Sequence, residues 1–287
     1  MRQNLEFSAL DGTSLAATFF FPDKGDGPFP AIVLSHGFGA VKEMALDQYA
    51  DAFCAAGYAC LVYDHRNTGS SAGMPRGEID PWKQISDMRD AITCVANHEK
   101  VDADKIGLWG TSFSGGHSLV VAATDRRIKC VVSVVPTISG HQNTIRARTT
   151  ADYETFVREA NEERAQRQQG KEPRIVPISK EGDESYEWSK VAGVNTTYVN
   201  ACTFLSLAMR DAYEPGQYIA AISPTPLLMV VGTEDTKCLT DLQLEAFSKA
   251  HEPKKLEIFS GGHYDPYMTQ LENICTASRD WFSAYLT

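Results

Sequence analysis

Short, largely apolar runs alternate along this chain with longer segments whose apolar residues recur every three or four positions. Ala31 to Ser35, Ala59 to Tyr63, Ile106 to Trp109, Cys130 to Val135, Leu227 to Val231 and Leu256 to Phe259 are runs of the first kind. Such runs, with little polar alternation, predict strands buried on both faces. Met44 to Ala56 and Trp82 to His98 are of the second kind and predict amphipathic helices. Leu5 to Ala9 and Leu15 to Phe21 flank the turn signal Asp11-Gly12, which predicts an antiparallel hairpin at the start. Strands alternating with helices imply right-handed βαβ crossovers and a parallel sheet, with function at the carboxyl ends of its strands.

The alternation stops between about Thr137 and Ala221. That interval holds a charged helical stretch, Asp152 to Gln169, then a connection with proline and glycine, Gly170 to Gly182, and a second amphipathic segment near Thr196 to Ala212. The division read from this is a core of residues 1–136 and 222–287 with an insertion at 137–221. The insertion carries Tyr153, Phe156, Tyr186, Trp188, Tyr198, Phe204 and Tyr213. Facing a site, these rings would suit a bulky apolar substrate; the commoner fate of any one of them is packing against the sheet.

Composition narrows the function classes. Hydrophobic residues at 43% and charged residues at 22% describe a chain able to bury a full core over its 287 residues. A formal net charge of −10 argues against a nucleic-acid partner. The N-terminal segment Met1 to Phe7 is not an apolar leader, and no stretch approaches the roughly 18 apolar residues of a membrane span, so a cytoplasmic protein without a membrane partner is expected. Seven cysteines stand singly in apolar surroundings, as reduced thiols do. Neither CxxC nor HExxH spacing occurs, which leaves a metal or other cofactor without support.

The chemistry is concentrated where the runs end. Lys105-Ile-Gly-Leu-Trp-Gly110-Thr-Ser112-Phe-Ser114-Gly-Gly116 is a strand entering a serine flanked by small residues, the pattern of a nucleophile elbow. A serine hydroxyl needs an imidazole to take its proton, and His263 follows the last apolar run after Gly261-Gly262. Asp235, following the run 227–231, is the candidate acid that orients the imidazole, with Glu234, Asp241 and Asp265 as neighbours to weigh against it. The run ending at Ser35 leads into His36-Gly37-Phe38-Gly39, and the backbone N–H groups of Phe38 and Phe113 are the expected oxyanion-hole donors. Ser114 opens a second register, flanked by Ser112 and Gly116, although Gly110 stands where the first register needs its glycine.

On these residues the chain resembles the α/β-hydrolase family over nearly its whole length, in the chain order Ser, Asp, His. It departs from the usual G-x-S-x-G at one position, where Ser114 replaces the last glycine. The resemblance implies an α/β-hydrolase fold: a mostly parallel eight-stranded sheet flanked by helices, with a helical lid inserted after strand 6. Asp64-His65-Arg66-Asn67-Thr68-Gly69-Ser70-Ser71 is similar to the family's Asp-x-Arg-x-x-Gly-x-Ser loop, whose job is structural. The wording of the motifs resembles the dienelactone-hydrolase-like and peptidase-like branch, which includes fungal hydrolases and acyl transferases working beside polyketide synthases. What this implies is a serine hydrolase acting on an ester, thioester or lactone of a bulky, polyketide-like acyl chain. An acyltransferase or cyclase using the same site is the alternative, and a binding protein without turnover comes third. The resemblance leaves room for a small-molecule acyl substrate, for a donor held on a carrier protein, and for a homodimer. A carboxylate-nucleophile enzyme is disfavoured by the serine at the elbow.

Overall fold

Each inner run becomes a strand because both of its faces find apolar cover. In the computed structural model, which describes residues 1–286, the strands are β1 (Arg2–Ser8), β2 (Ser14–Phe20), β3 (Phe29–Ser35), β4 (Ala59–Tyr63), β5 (Val101–Thr111), β6 (Ile128–Val134), β7 (Ile175–Val176), β8 (Cys202–Thr203), β9 (Leu227–Gly232) and β10 (Lys254–Phe259). Eight of them form one sheet in the order β1-β2-β4-β3-β5-β6-β9-β10, while β7 and β8 pair as a separate two-residue ladder. β1 and β2 run antiparallel to each other, β2 runs antiparallel to β4, and every pairing from β4 to β10 is parallel. This is the mostly parallel eight-stranded α/β-hydrolase sheet.

The helices are α1 (Leu46–Ala55), α2 (Pro81–Ala96), α3 (Phe113–Thr124), α4 (Gly140–Arg146), α5 (Thr150–Gln168), α6 (Glu184–Ala192), α7 (Phe204–Asp211), α8 (Thr240–Lys249) and α9 (Leu271–Tyr285). Side chains alternate across the strands, so the runs divide cleanly between two cores. Val33, Leu61, Leu108 and Met229 join Met88 and Ile92 of α2, Leu119 of α3 and Leu242 of α8 on one face. Leu34, Val62, Trp109 and Val230 join Tyr49 and Phe53 of α1 and Phe282 of α9 on the other. In register, Ser35 lies beside Gly110, Thr111 beside Val134, and Gly232 beside Phe259. The loops after β3, β5, β9 and β10 therefore leave from one edge of the sheet.

Between β6 and β9 the chain departs from expectation in detail. α5 covers the charged stretch, starting where Thr149 caps the Asp152 amide. The segment expected as one helix over 196–212 is helical only at Phe204–Asp211. Its first part, rich in β-branched residues, runs into β8 and pairs with β7. Two helices, α4 and α6, were not foreseen: they have seven and nine residues, and α6 buries only Ser189. Asp183, which caps α6 by accepting from the Ser185 amide, is the signal that could have located it. Phe156 and Ala160 of α5 pack on Phe204 and Leu205 of α7. The Ser206 hydroxyl accepts from the Ile79 amide at 2.8 Å and the Thr203 amide donates to the Gly77 carbonyl at 3.0 Å, tying this region to the loop before α2.

The loop after β4 is a buried clamp. Asp64 accepts from the backbone amides of Lys42 (2.7 Å) and Ser70 (2.9 Å). Gly69 has φ +52°, and a Cβ there would lie 2.4 Å from the Asp64 carboxylate. The buried Arg66 donates to both oxygens of Asp87 on α2, at 2.8 and 2.5 Å, and to Asp11 of the first turn at 2.7 Å. Removing one member of a buried pair strands the other charge. Asp87→Ala is therefore expected to lower stability by about 3 kcal/mol, whereas Asp11→Ala, whose partner keeps Asp87, should change it by under about 1 kcal/mol; urea denaturation of the two variants measures the difference.

Candidate active site

Ser112 occupies the single residue between β5 and α3, with φ 56° and ψ −117°. Non-glycine residues avoid this backbone region, and the turn closes because its neighbours are small. A Cβ on Gly110 would lie 2.2 Å from the Ser114 carbonyl oxygen. One on Gly37 would lie 3.0 Å from Ser112 Cβ. The Ser112 amide donates to Val134 of β6 at 2.9 Å, and its carbonyl accepts from Gly116 and Thr137.

Ser112, His263 and Asp235 meet. His263 Nε2 lies 2.9 Å from Ser112 Oγ, and Nδ1 lies 2.8 Å from Asp235 Oδ2. Because an ionised carboxylate only accepts, Nδ1 carries the proton and Nε2 is left free to receive one from the serine. Asp235 is held in turn: its Oδ1 accepts from the Lys237 and Cys238 amides at 2.8 Å each, and Oδ2 from Gln243 Nε2 at 3.3 Å. His263 and Asp235 are both buried. The rival acids are engaged elsewhere, Asp241 with Arg146 and Asp265 with the Gly262 amide, and Glu234 is exposed. Two bonds between the loops, Thr233 amide to Phe259 carbonyl (3.0 Å) and Glu234 amide to Gly261 carbonyl (2.9 Å), set the distance between the acid and the imidazole.

These groups open into a cavity of about 600 Å³ that Phe38 and Phe113 also line. Their rings meet edge to face at 5.3 Å, and Phe113 is the first residue of α3, where helix amides have no intrahelical acceptor. A comparable hollow along α5, lined by Tyr153, Val157 and Ala165 among others, has no serine, cysteine or histidine in its wall. Of the seven aromatic residues weighed in the insertion, only Trp188 lines the active-site cavity. Phe156 and Phe204 pack α5 on α7, and Tyr213 is fully buried beneath the site. The other rings come from the core: Tyr264 and Tyr267 lie 5.0 and 5.1 Å from Trp188. The lining is not the apolar one expected, since Arg148, Lys180, Arg210 and Lys237 share it. Nothing in the spacing of the sequence singles out Arg210, which α7 delivers through tertiary packing alone.

Behind Ser112 lies a second, buried serine–histidine pair. Ser114 is fully buried and shares a 2.8 Å hydrogen bond with His65 Nε2, away from the cavity. His65 Nδ1 has no partner among the described residues, so this pair has no orienting carboxylate. His36 Nε2 accepts from the His65 amide at 3.3 Å. His117 is buried, with Nδ1 on the Tyr213 hydroxyl (2.8 Å) and Nε2 on Gln84 Oε1 (3.1 Å). His141 sits against Asp211 and Tyr153.

The family model for X-Pro dipeptidyl-peptidases (S15 family) matches residues 11–265. The chain belongs to this family. This S15-family chain is 33% identical over 274 residues to a thiohydrolase of Aspergillus aculeatus, covering 89% of the chain and 84% of that protein. It is 31% identical to a polyketide transferase of a Penicillium species, over 99% of the chain and 97% of the relative. The crystal structure of an α/β-hydrolase from Penicillium sp. sh18 superposes with a TM-score of 0.88 at 29% identity, over 100% of this chain and 99% of that one. The chain is thus an enzyme of hydrolase or acyl-transfer type related to fungal polyketide-pathway hydrolases. Among the described residues, no helix is long and apolar enough to cross a membrane.

The histidines beneath the site make stability pH-dependent. Burial above all, with the repulsion a protonated His36 would exert, holds the His117 pKa down at about 3, and burial pushes His36 and His65 in the same direction. An unfolded histidine titrates near 6.5, so below that pH the unfolded chain takes up protons that the folded chain refuses. Stability falls as pH drops from about 6.5, by up to about 1.4 kcal/mol per pH unit for each such imidazole. Urea denaturation between about pH 7.5 and 5 should show this loss, and His117→Gln should reduce its slope by the share of one imidazole.

Proposed function

We propose that this enzyme transfers acyl groups from thioesters through an acyl-Ser112 intermediate, with water as the ordinary acceptor. The hydrogen-bonded chain Ser112–His263–Asp235, opening into a cavity that Phe38 and Phe113 also line, carries the reading. The name of the thiohydrolase relative supports a thioester over an amide or simple ester. Ser112 Oγ attacks the carbonyl carbon as His263 Nε2 accepts its proton, and Asp235 stabilises the imidazolium that forms. The Phe38 and Phe113 amides hold the developing oxyanion, each such donor contributing on the order of 3 kcal/mol to the transition state. Collapse expels the thiol with the proton from His263; the acceptor then enters by the reverse path. Residues 137–221 serve as the lid, which excludes bulk water and places Trp188 and Arg210 over the nucleophile.

One observation favours a second reading, transfer to an alcohol or amine: the polyketide transferase relative matches over 99% of the chain. Thiol release from a hexanoyl N-acetylcysteamine thioester, followed with and without an added alcohol, tests both. Wild-type protein should release thiol, and Ser112→Ala and His263→Ala should each lower kcat/KM by at least about 10³-fold. Acid product in the presence of the alcohol assigns hydrolysis, and ester product assigns transfer. Undiminished turnover by Ser112→Ala would defeat the acyl-serine mechanism.

A further inference from the structure

The chain carries a net charge of −10, yet its active-site cavity is lined by four basic side chains, Arg148, Lys180, Arg210 and Lys237, and one carboxylate, Asp183. Asp183 is already taken up by Lys237 at 2.5 Å. Arg148 is half-buried, with one guanidinium nitrogen on the Thr144 carbonyl (3.1 Å) and its plane 4.9 Å from the Phe156 ring. Lys180 is exposed and, among the described residues, forms no ion pair.

Arg210 is the most telling of the four. Its guanidinium lies 5.0 Å from the centre of the Phe38 ring, the residue whose amide stands at the proposed oxyanion hole. It is half-buried and has neither a carboxylate nor a hydrogen-bond acceptor among the described residues. The carboxylates nearest to it in sequence are engaged elsewhere. Asp211 accepts from the Tyr153 hydroxyl (3.1 Å) and contacts His141, and Glu214 accepts from the Ser139 hydroxyl (2.8 Å). Its nitrogens stay within reach of the solvent-filled cavity, so the guanidinium is only partly desolvated, and the Phe38 face beside it leaves its N–H groups free for an anion. An arginine also stays charged and presents a planar fork suited to the two oxygens of a carboxylate or phosphate. Burial and the neighbouring Arg148 charge lower its pKa from the usual arginine value, the sense expected for cations gathered without a counter-charge.

We propose that Arg210, supported by Arg148 and Lys180, binds an anionic group of the substrate, a carboxylate or a phosphate carried by the acyl thioester. This rests on the acyl-transfer reading of the site and specifies its substrate class. Two parts of such a molecule could supply the charge: a carboxylate at the far end of the acyl chain, or the phosphate of a phosphopantetheine leaving group.

Isothermal titration of wild-type protein with three analogues, in which an amide NH replaces the thioester sulfur, separates these sources without turnover. The analogues are those of hexanoyl-pantetheine, adipoyl-pantetheine and hexanoyl-4′-phosphopantetheine. At least one anionic analogue should bind about tenfold or more tightly than the neutral one, with the excess shrinking as salt is raised. Tighter adipoyl binding places the anion on the acyl chain, and tighter phosphopantetheine binding places it on the leaving group. Arg210→Gln should remove most of the preference, and Arg210→Lys should keep part of it. Equal affinities in the wild type, a preference that survives Arg210→Gln, or no binding by any analogue would overturn the anion site. The acyl-serine step does not enter these titrations, so its failure would show in the thiol-release assay and not here.

Discussion

The backbone of Ser112 is the constraint on which the site depends. At φ 56° and ψ −117° it occupies a conformation that carries a penalty of about 1–3 kcal/mol outside glycine. That penalty is met by the register of the sheet. β6 receives the Ser112 amide through Val134, and the chain leaving β6 returns the Thr137 amide to the Ser112 carbonyl. α3 approaches β5 so closely that no side chain fits at Gly110. The hydroxyl is thereby thrust out of the sheet edge, where the loops after β9 and β10 deliver Asp235 and His263.

The contrast between the two serine–histidine pairs shows what sets Ser112 apart as the candidate nucleophile. Ser112 has a cavity, an imidazole free to accept a proton, and a carboxylate fastened by two backbone amides. Ser114 and His65 have a hydrogen bond of similar length but, among the described residues, neither cavity nor carboxylate. They lie with His36 and His117 in a neutral, buried floor that fixes the loops after β3 and β4 beneath the elbow. Proximity alone does not create a nucleophile; access and a held counter-charge do.

Much of this was legible in the sequence, for physical reasons. The inner strands β3, β4, β5, β6 and β9 could be read because burial on two faces leaves nearly uninterrupted apolar runs, β1 and β2 from the turn signal between them, and β10 from a short apolar run; Ser112, Asp235 and His263 were singled out because each follows one of these runs. α4 and α6 were missed because short helices with little buried surface leave weak periodicity. The segment from Thr196 mimicked a helix by spacing, while residues 196–201 are bends and irregular chain leading into the two-residue β8. The aromatic residues of the insertion were visible, but which of them reach the cavity is a matter of tertiary packing, and only Trp188 does. The burial of His117 and the position of Arg210 over Phe38 are likewise products of the packing of α3 and α7, with no trace in local sequence.

The most direct measurement is intact-mass and peptide analysis after reaction with a fluorophosphonate, on wild-type protein and on Ser112→Ala and Ser114→Ala. Nucleophilic catalysis by Ser112 predicts one adduct, on the peptide containing Ser112, lost in Ser112→Ala and kept in Ser114→Ala. An adduct that survives Ser112→Ala, or a wild-type protein that forms none while its Ser114→Ala variant is equally inert, would contradict it.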